Sequence, residues 1–261
     1  MKSSIQFVTF TFLITWGAWF FVIFFTDGSL EPGTPAFLMY GLGGLLGPVV
    51  AAFATKRFDR EFLRQLVRVR VGFAWYIAIL VIPFLIGILP FGIEAIVGDG
   101  FGFAFETPYY MVALMLPMMI LGGGLEEVGW RGVLLPELLK RYTVLTSTLI
   151  VALVWAVWHL PLWFIEGTVQ YGSNMGWFFI SILGTSFILS VIYVKTRSIL
   201  LCILLHALFN ANSAYFQGEL SSWNEGATVT IKLLLCFIFF VFLIREKPVT
   251  VATGGGVIER H

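Results

Sequence analysis

The chain alternates long apolar runs with short polar ones, and the runs have the length that crosses a membrane. Runs of roughly 20 residues, enough for ~30 Å of hydrocarbon, cover residues 5–26, 35–55, 73–97, 109–125, 145–165, 175–194, 198–215 and 228–244. The fourth and seventh are short. A backbone inside hydrocarbon must satisfy its own polar groups, which leaves helices for runs of this kind. The pattern predicts an all-α polytopic membrane protein with about eight transmembrane helices. The first run is too long for a signal peptide and has no small-residue cleavage site, so it is read as a span.

Charge gives these spans a direction. Of 16 Lys and Arg residues, 14 fall at Lys2, Lys56, Arg57, Arg60, Arg64, Arg68, Arg70, Lys140, Arg141, Lys195, Arg197, Arg245, Lys247 and Arg260, all in alternate connections or at the ends. The intervening connections carry only acids: Asp27, Glu31, Asp99, Glu106, Glu166, Glu219 and Glu225. By the positive-inside rule both termini are cytoplasmic and the number of spans is even. Within the basic segment 56–71, Phe58, Phe62, Leu63, Leu66 and Val67 recur near helical spacing. They suit a helix lying in the cytoplasmic interface against anionic membrane lipid, or a loop that only sets topology.

Composition narrows the class further. The chain of 261 residues is 59% hydrophobic and 12% charged, with a net charge of +1, which excludes a nucleic-acid footprint and fits a membrane protein. Cys202 and Cys236 lie apart in apolar runs, as core side chains do. Gly41, Gly43, Gly44 and Gly47 would let neighbouring helices approach closely. Glu94 and Lys232, near the ends of their spans, would reach the interface by extending their stems. Residues 1–261 read as a single domain with a motif-bearing core at 109–212 and a flexible cytoplasmic tail at 246–261.

Once groups explained by topology are set aside, Glu126, Glu127, Arg131, His159, His206, Asn210 and Asn212 remain at membrane depth. Ionisable groups there are costly, and they mark functional sites. Glu127 and Arg131 stand four residues apart, acid first, and are placed to pair. Glu126 lies ~100° around the helix from Glu127, free to present an unpaired carboxylate to a cavity as a general base. Pro161 removes an amide just past His159, so the helix should kink beside the imidazole. His206 and Asn210 share one helical face and offer an imidazole and a carboxamide to one point; Asn212 lies on another face. An acid, two imidazoles and an amide can surround a water molecule. No His-Glu-x-x-His run and no serine or cysteine nucleophile motif is present. Straight helices would leave Glu126 and His159 at different depths. A tilt, a break at Gly122–Gly124, or a fourth span that starts later and runs toward Lys140 would bring them level.

These residues resemble a known family. Glu126-Glu127-x-x-x-Arg131, then Trp155-x-x-x-His159, then His206-x-x-x-Asn210 are similar in order and spacing to the motifs of the CAAX-protease and bacteriocin-processing (CPBP) family of intramembrane proteases, which includes the type II CAAX prenyl endopeptidases. The resemblance implies an intramembrane endopeptidase, described as a metalloprotease or as a glutamate protease, acting on a membrane-anchored or prenylated protein or peptide. It implies that Glu126 activates water with His159, that His206 and Asn210 complete the water or oxyanion site, and that Glu127 and Arg131 support it. The family more often has Phe where Trp155 stands. Glu126, His159, His206 and Asn210 have donor atoms for Zn²⁺, but Glu126 as a ligand would leave no free base, so the residues leave metal open and favour a glutamate-activated water. The rival readings are a proton-coupled transporter, for which the internal repeat usual in transporters is missing, and a non-catalytic membrane scaffold.

Overall fold

The computed structural model describes residues 2–26, 28, 30–55, 59–97, 107–219 and 225–244, and all regular structure among them is helical. The helices are α1 (Lys2–Phe25), α2 (Pro35–Thr55), α3 (Arg60–Leu66), α4 (Phe73–Val97), α5 (Met111–Leu121), the irregular α6 (Gly124–Leu139), α7 (Val144–Trp158), α8 (Met175–Thr196), α9 (Ile199–Glu219) and α10 (Glu225–Ile244). Seven are long and apolar enough to cross a membrane, and the bent pair α5–α6 makes up to eight. The protein is a multi-pass helical membrane protein.

The fourth span runs past the expected end at 125 and takes the break at Gly122–Gly124 that the depth of Glu126 called for. Its two halves meet at 42° around Gly122 and Gly123, and the second half runs on through the charged motif to Leu139. It advances as a 3₁₀ turn at Gly124–Glu126, one helical turn at Glu127–Gly129, a widened π turn at Trp130–Leu134 and a last helical turn at Leu135–Leu139. The widened turn closes with the Leu135 amide donating to the Trp130 carbonyl, immediately before Pro136, which has no amide to continue an α pattern. Past α7, the chain tightens into a 3₁₀ turn at Leu160–Phe164 with Pro161 near its start.

α9 is the centre of the bundle. It packs against α4, α5, α8 and the start of α6, while α1 pairs with α2 and α8 with α7 and α10. Most of α9 is buried inside the bundle, whereas α1 leaves Leu13, Phe24 and Phe25 exposed on its outer face. Close approach of α2 to α1 depends on Gly43 and Gly47, where an added Cβ would strike Ala18 and Thr15. Gly41 meets nothing within 4 Å and takes no part in that contact, contrary to the sequence expectation. Cys202 and Cys236 are free and buried.

Two charged features also differ from expectation. The basic segment forms only the short α3, capped by Asp59 Oδ1 accepting from the Phe62 amide at 2.7 Å. Its inner face is Phe62 and Gln65, both buried, whereas Leu63 and Val67 are exposed. The Tyr193 hydroxyl donates to Gln65 Oε1 (3.0 Å) and Ser198 Oγ to the Arg68 carbonyl (2.7 Å), so α3 is docked on the end of α8 and α9 rather than lying only on lipid. Lys232 does not reach the interface: it is 9% exposed, and its Nζ donates to Ser181 Oγ on α8 at 2.8 Å. The Phe58 position, the Glu94 side chain and the tail 246–261 lie outside the described residues.

Candidate active site

The bend at Gly122–Gly123 puts the two glutamates inside the bundle. The Gly122 amide closes α5 on the Met118 carbonyl (2.7 Å), and the Glu126 amide donates to Gly123 O (3.0 Å), which starts the new helical turn against α9. A Cβ on Gly123 would lie 2.5 Å from Asn210 Nδ2 and 3.2 Å from His206 Nε2. Only glycine leaves this space open, and the imidazole and carboxamide of α9 do converge on it. The sequence marked the triple-glycine run as a place for a helix break, but not Gly123 as the floor of this space.

The adjacent glutamates are held in different ways. Glu127 is fully buried, with Oε1 accepting from Arg131 Nη1 at 3.0 Å and from His206 Nδ1 at 2.9 Å. Its Oε2 also lies 3.0 Å from Nη1, in Coulombic contact but without hydrogen-bond geometry. Arg131 is fully buried too; Nη2 donates to Ser186 Oγ at 3.2 Å and the guanidinium carbon sits 5.0 Å from the Trp155 ring centroid. A buried carboxylate between a guanidinium and an imidazole is neutralised and rigid. The Glu127–Arg131 pair expected from spacing therefore reaches into α9 as well.

No cation among the described residues forms an ion pair with Glu126. Its Oε2 accepts from the indole N–H of Trp155 at 2.7 Å and of Trp130 at 3.3 Å, so the carboxylate is not loose in a cavity as expected but clamped by two neutral donors. Trp130 was missed in the sequence, although it stands four residues past Glu126, on the same helical face. Trp155 is the hub: its ring centroid is 5.9 Å from that of His159 and 5.1 Å from that of His206.

Both imidazoles are oriented through Nδ1. His159 Nδ1 is 2.8 Å from the Trp155 carbonyl, which can only accept, and His206 Nδ1 is turned to Glu127. In the neutral ring each Nε2 then keeps its lone pair for a ligand or a water proton. Phe178 of α8 packs edge-on to His159 at 5.0 Å between centroids, a further neighbour with no signal in the sequence. Asn210 is half-buried beside the Gly123 space. Asn212 belongs elsewhere, accepting from the Tyr109 hydroxyl at 2.8 Å and donating to the Leu208 carbonyl at 2.8 Å.

Two imidazole nitrogens oriented from behind resemble half of a zinc site, but zinc takes at least three protein ligands. Among the described residues no three His, Cys, Asp or Glu side chains converge to hold a metal ion. Glu126, His159 and His206 therefore do not converge on one Zn²⁺ in this arrangement. A groove of about 330 Å³ between α1, α6 and α7, lined by Val8, Leu134, Leu138 and Val154, touches none of the six candidate residues.

Comparison with known proteins points the same way. Residues 107–212 match the family described as type II CAAX prenyl endopeptidase Rce1-like, a stretch that contains all six candidate residues. The chain is also similar to CAAX prenyl protease 2 of Methanococcus maripaludis, with 29% identity over 228 residues that cover 77% of this chain and 80% of the relative.

Proposed function

Residues 107–212 carry a type II CAAX prenyl endopeptidase Rce1-like domain, and on that premise we propose that the protein is an intramembrane endopeptidase that cuts membrane-anchored, prenylated CAAX-type proteins or peptides with a water activated by Glu126. The protease class follows from the domain. The observation that carries the residue assignment is the Glu126 carboxylate, buried in a span, bound by two indole N–H groups and paired with no cation among the described residues.

In this reading the water sits between the Glu126 carboxylate and His159 Nε2. Glu126 takes one proton as the water oxygen adds to the scissile carbonyl, and later passes it to the departing amine. The Asn210 carboxamide, held over Gly123, donates to the carbonyl oxygen as negative charge gathers there. With one O–H of the water turned to Glu126 and the other to His159 Nε2, His206, fixed through Nδ1 by Glu127, lines the space beside Gly123 with its Nε2. Glu127 and Arg131 touch no reacting atom; they position His206 and Trp155.

The test is cleavage of farnesylated and unmodified membrane-anchored peptides by purified protein in detergent, with native Glu126 and with Glu126→Gln, each with and without chelator. Cleavage by the native protein and its loss in Glu126→Gln is the expected result, and the chelator arm decides whether metal takes part. Equal cleavage by both proteins would remove Glu126 from the chemistry.

A further inference from the structure

Among the described residues, buried Arg131 has a carboxylate partner and buried Lys232 has none. Lys232 Nζ donates to Ser181 Oγ (2.8 Å) and lies 5.0 Å from the Phe209 ring centroid. No described acid forms an ion pair with it. An ammonium carries three N–H donors and one hydroxyl satisfies one of them. A buried cation in a membrane span is costly and marks a functional site. The stem is held firmly, because Gly184 lets α8 approach the α10 backbone, where a Cβ would sit 3.3 Å from Leu233 Cα and 3.5 Å from Lys232 Cγ.

Both neighbours of Lys232 lead to the candidate active site. Phe209 precedes Asn210 and follows His206 by three residues, while Ser181 follows Phe178 by three, and Phe178 packs on His159. Three residues advance ~4.5 Å along a helix, and α8 and α9 run antiparallel, so the ammonium stands between the two, about one turn past His206 on α9 and one turn short of Phe178 on α8. Extended peptide covers ~3.3–3.6 Å per residue, and a few residues past the scissile bond span this gap.

We propose that Lys232 is a specificity residue that pairs with the C-terminal carboxylate of the substrate, with Ser181 Oγ beside it as a second polar partner. This rests on the protease reading above, because a peptide substrate cut near its end has one obligatory anion there. The low-dielectric surroundings strengthen such a pair relative to water, and the spacing from Glu126 sets how far from the chain end the cut falls.

The test uses one farnesylated peptide with either a free carboxylate or a carboxamide at its C-terminus. Binding is measured to full-length Glu126→Gln protein and turnover to protein with native Glu126, each with Lys232, Lys232→Met or Lys232→Arg. With Lys232 the carboxamide should bind about 10- to 100-fold more weakly, the range for losing a charge-assisted hydrogen bond. Lys232→Met should erase that preference by weakening only the carboxylate peptide, and Lys232→Arg should restore it. Equal binding of the two peptides by the Lys232 protein overturns the proposal, as does equal loss on both peptides in Lys232→Met or an unchanged preference in that variant. Should Lys232→Met not fold, Lys232→Gln, uncharged but able to donate to Ser181, makes the same comparison. Lysine-dependent preference without cleavage keeps the carboxylate site and removes the protease reading; cleavage of both peptides alike does the reverse.

Discussion

Glu126 and Glu127 are adjacent in the chain and differ in what neutralises them. Glu127 is enclosed by Arg131 and His206, Glu126 by indole donors alone. Replacement should separate their roles. Glu126→Gln is expected to lower turnover by about 10²–10⁴-fold, as loss of a general base does, with the thermal unfolding midpoint in detergent nearly unchanged. Arg131→Ala strands a buried carboxylate and should cost about 3–5 kcal/mol of stability, read as a lower midpoint and poorer yield; a midpoint like the native one would contradict the pairing. Trp155→Phe keeps the ring and deletes the 2.7 Å donor to Glu126, so kcat should fall about tenfold or more while expression holds. Gly123→Ala drives a methyl into the space between Asn210 Nδ2 and His206 Nε2 and should abolish turnover. Gly41→Ala, which meets nothing within 4 Å, should not, and equal activity of the two glycine variants would show that the cradle is not where substrate reacts.

At the scale of elements, the bent span and α3 matter most. Two glycines end α5, a 3₁₀ turn carries Glu126 against Trp155, and a widened turn before Pro136 lets Trp130 and Arg131 face inward after it. On a regular helix the four groups span ~140° as two i,i+4 pairs, and the bend sets the depth and tilt at which those pairs meet α7 and α9. α3 clamps the opposite end of the bundle through Gln65–Tyr193 and Ser198–Arg68. A double-mutant cycle between Gln65→Ala and Tyr193→Phe should show coupling of about 0.5–3 kcal/mol in stability, and strict additivity would mean that α3 is not anchored there. The periodicity in 56–71 was legible, but its buried face was not: Phe62 and Gln65 turn inward, and the polar Gln65 is chosen by a hydroxyl 128 positions away.

The whole molecule is a bundle around α9, with the basic connections expected on one side of the membrane. If so, in intact cells an impermeant thiol reagent should label Glu166→Cys from outside and leave Arg64→Cys and Lys140→Cys untouched until the membrane is opened. All three positions are exposed and both native cysteines are buried, so the signal is clean. The reverse pattern would invert the topology. Helical class, near-complete span positions and the residues at membrane depth were all determined by the sequence, because hydrocarbon length, backbone self-satisfaction and the cost of buried charge act locally along a chain. The Glu127–Arg131 pair was equally local, set by one turn of helix. Contacts between spans were not. That Glu127 also holds His206, that Trp130 and Trp155 clamp Glu126, that Gly123 leaves the space under Asn210, and that Lys232 turns inward to Ser181 were decided only by tertiary packing. Bend angle and helix rotation choose these partners, and both are properties of the packed bundle rather than of any stretch of sequence.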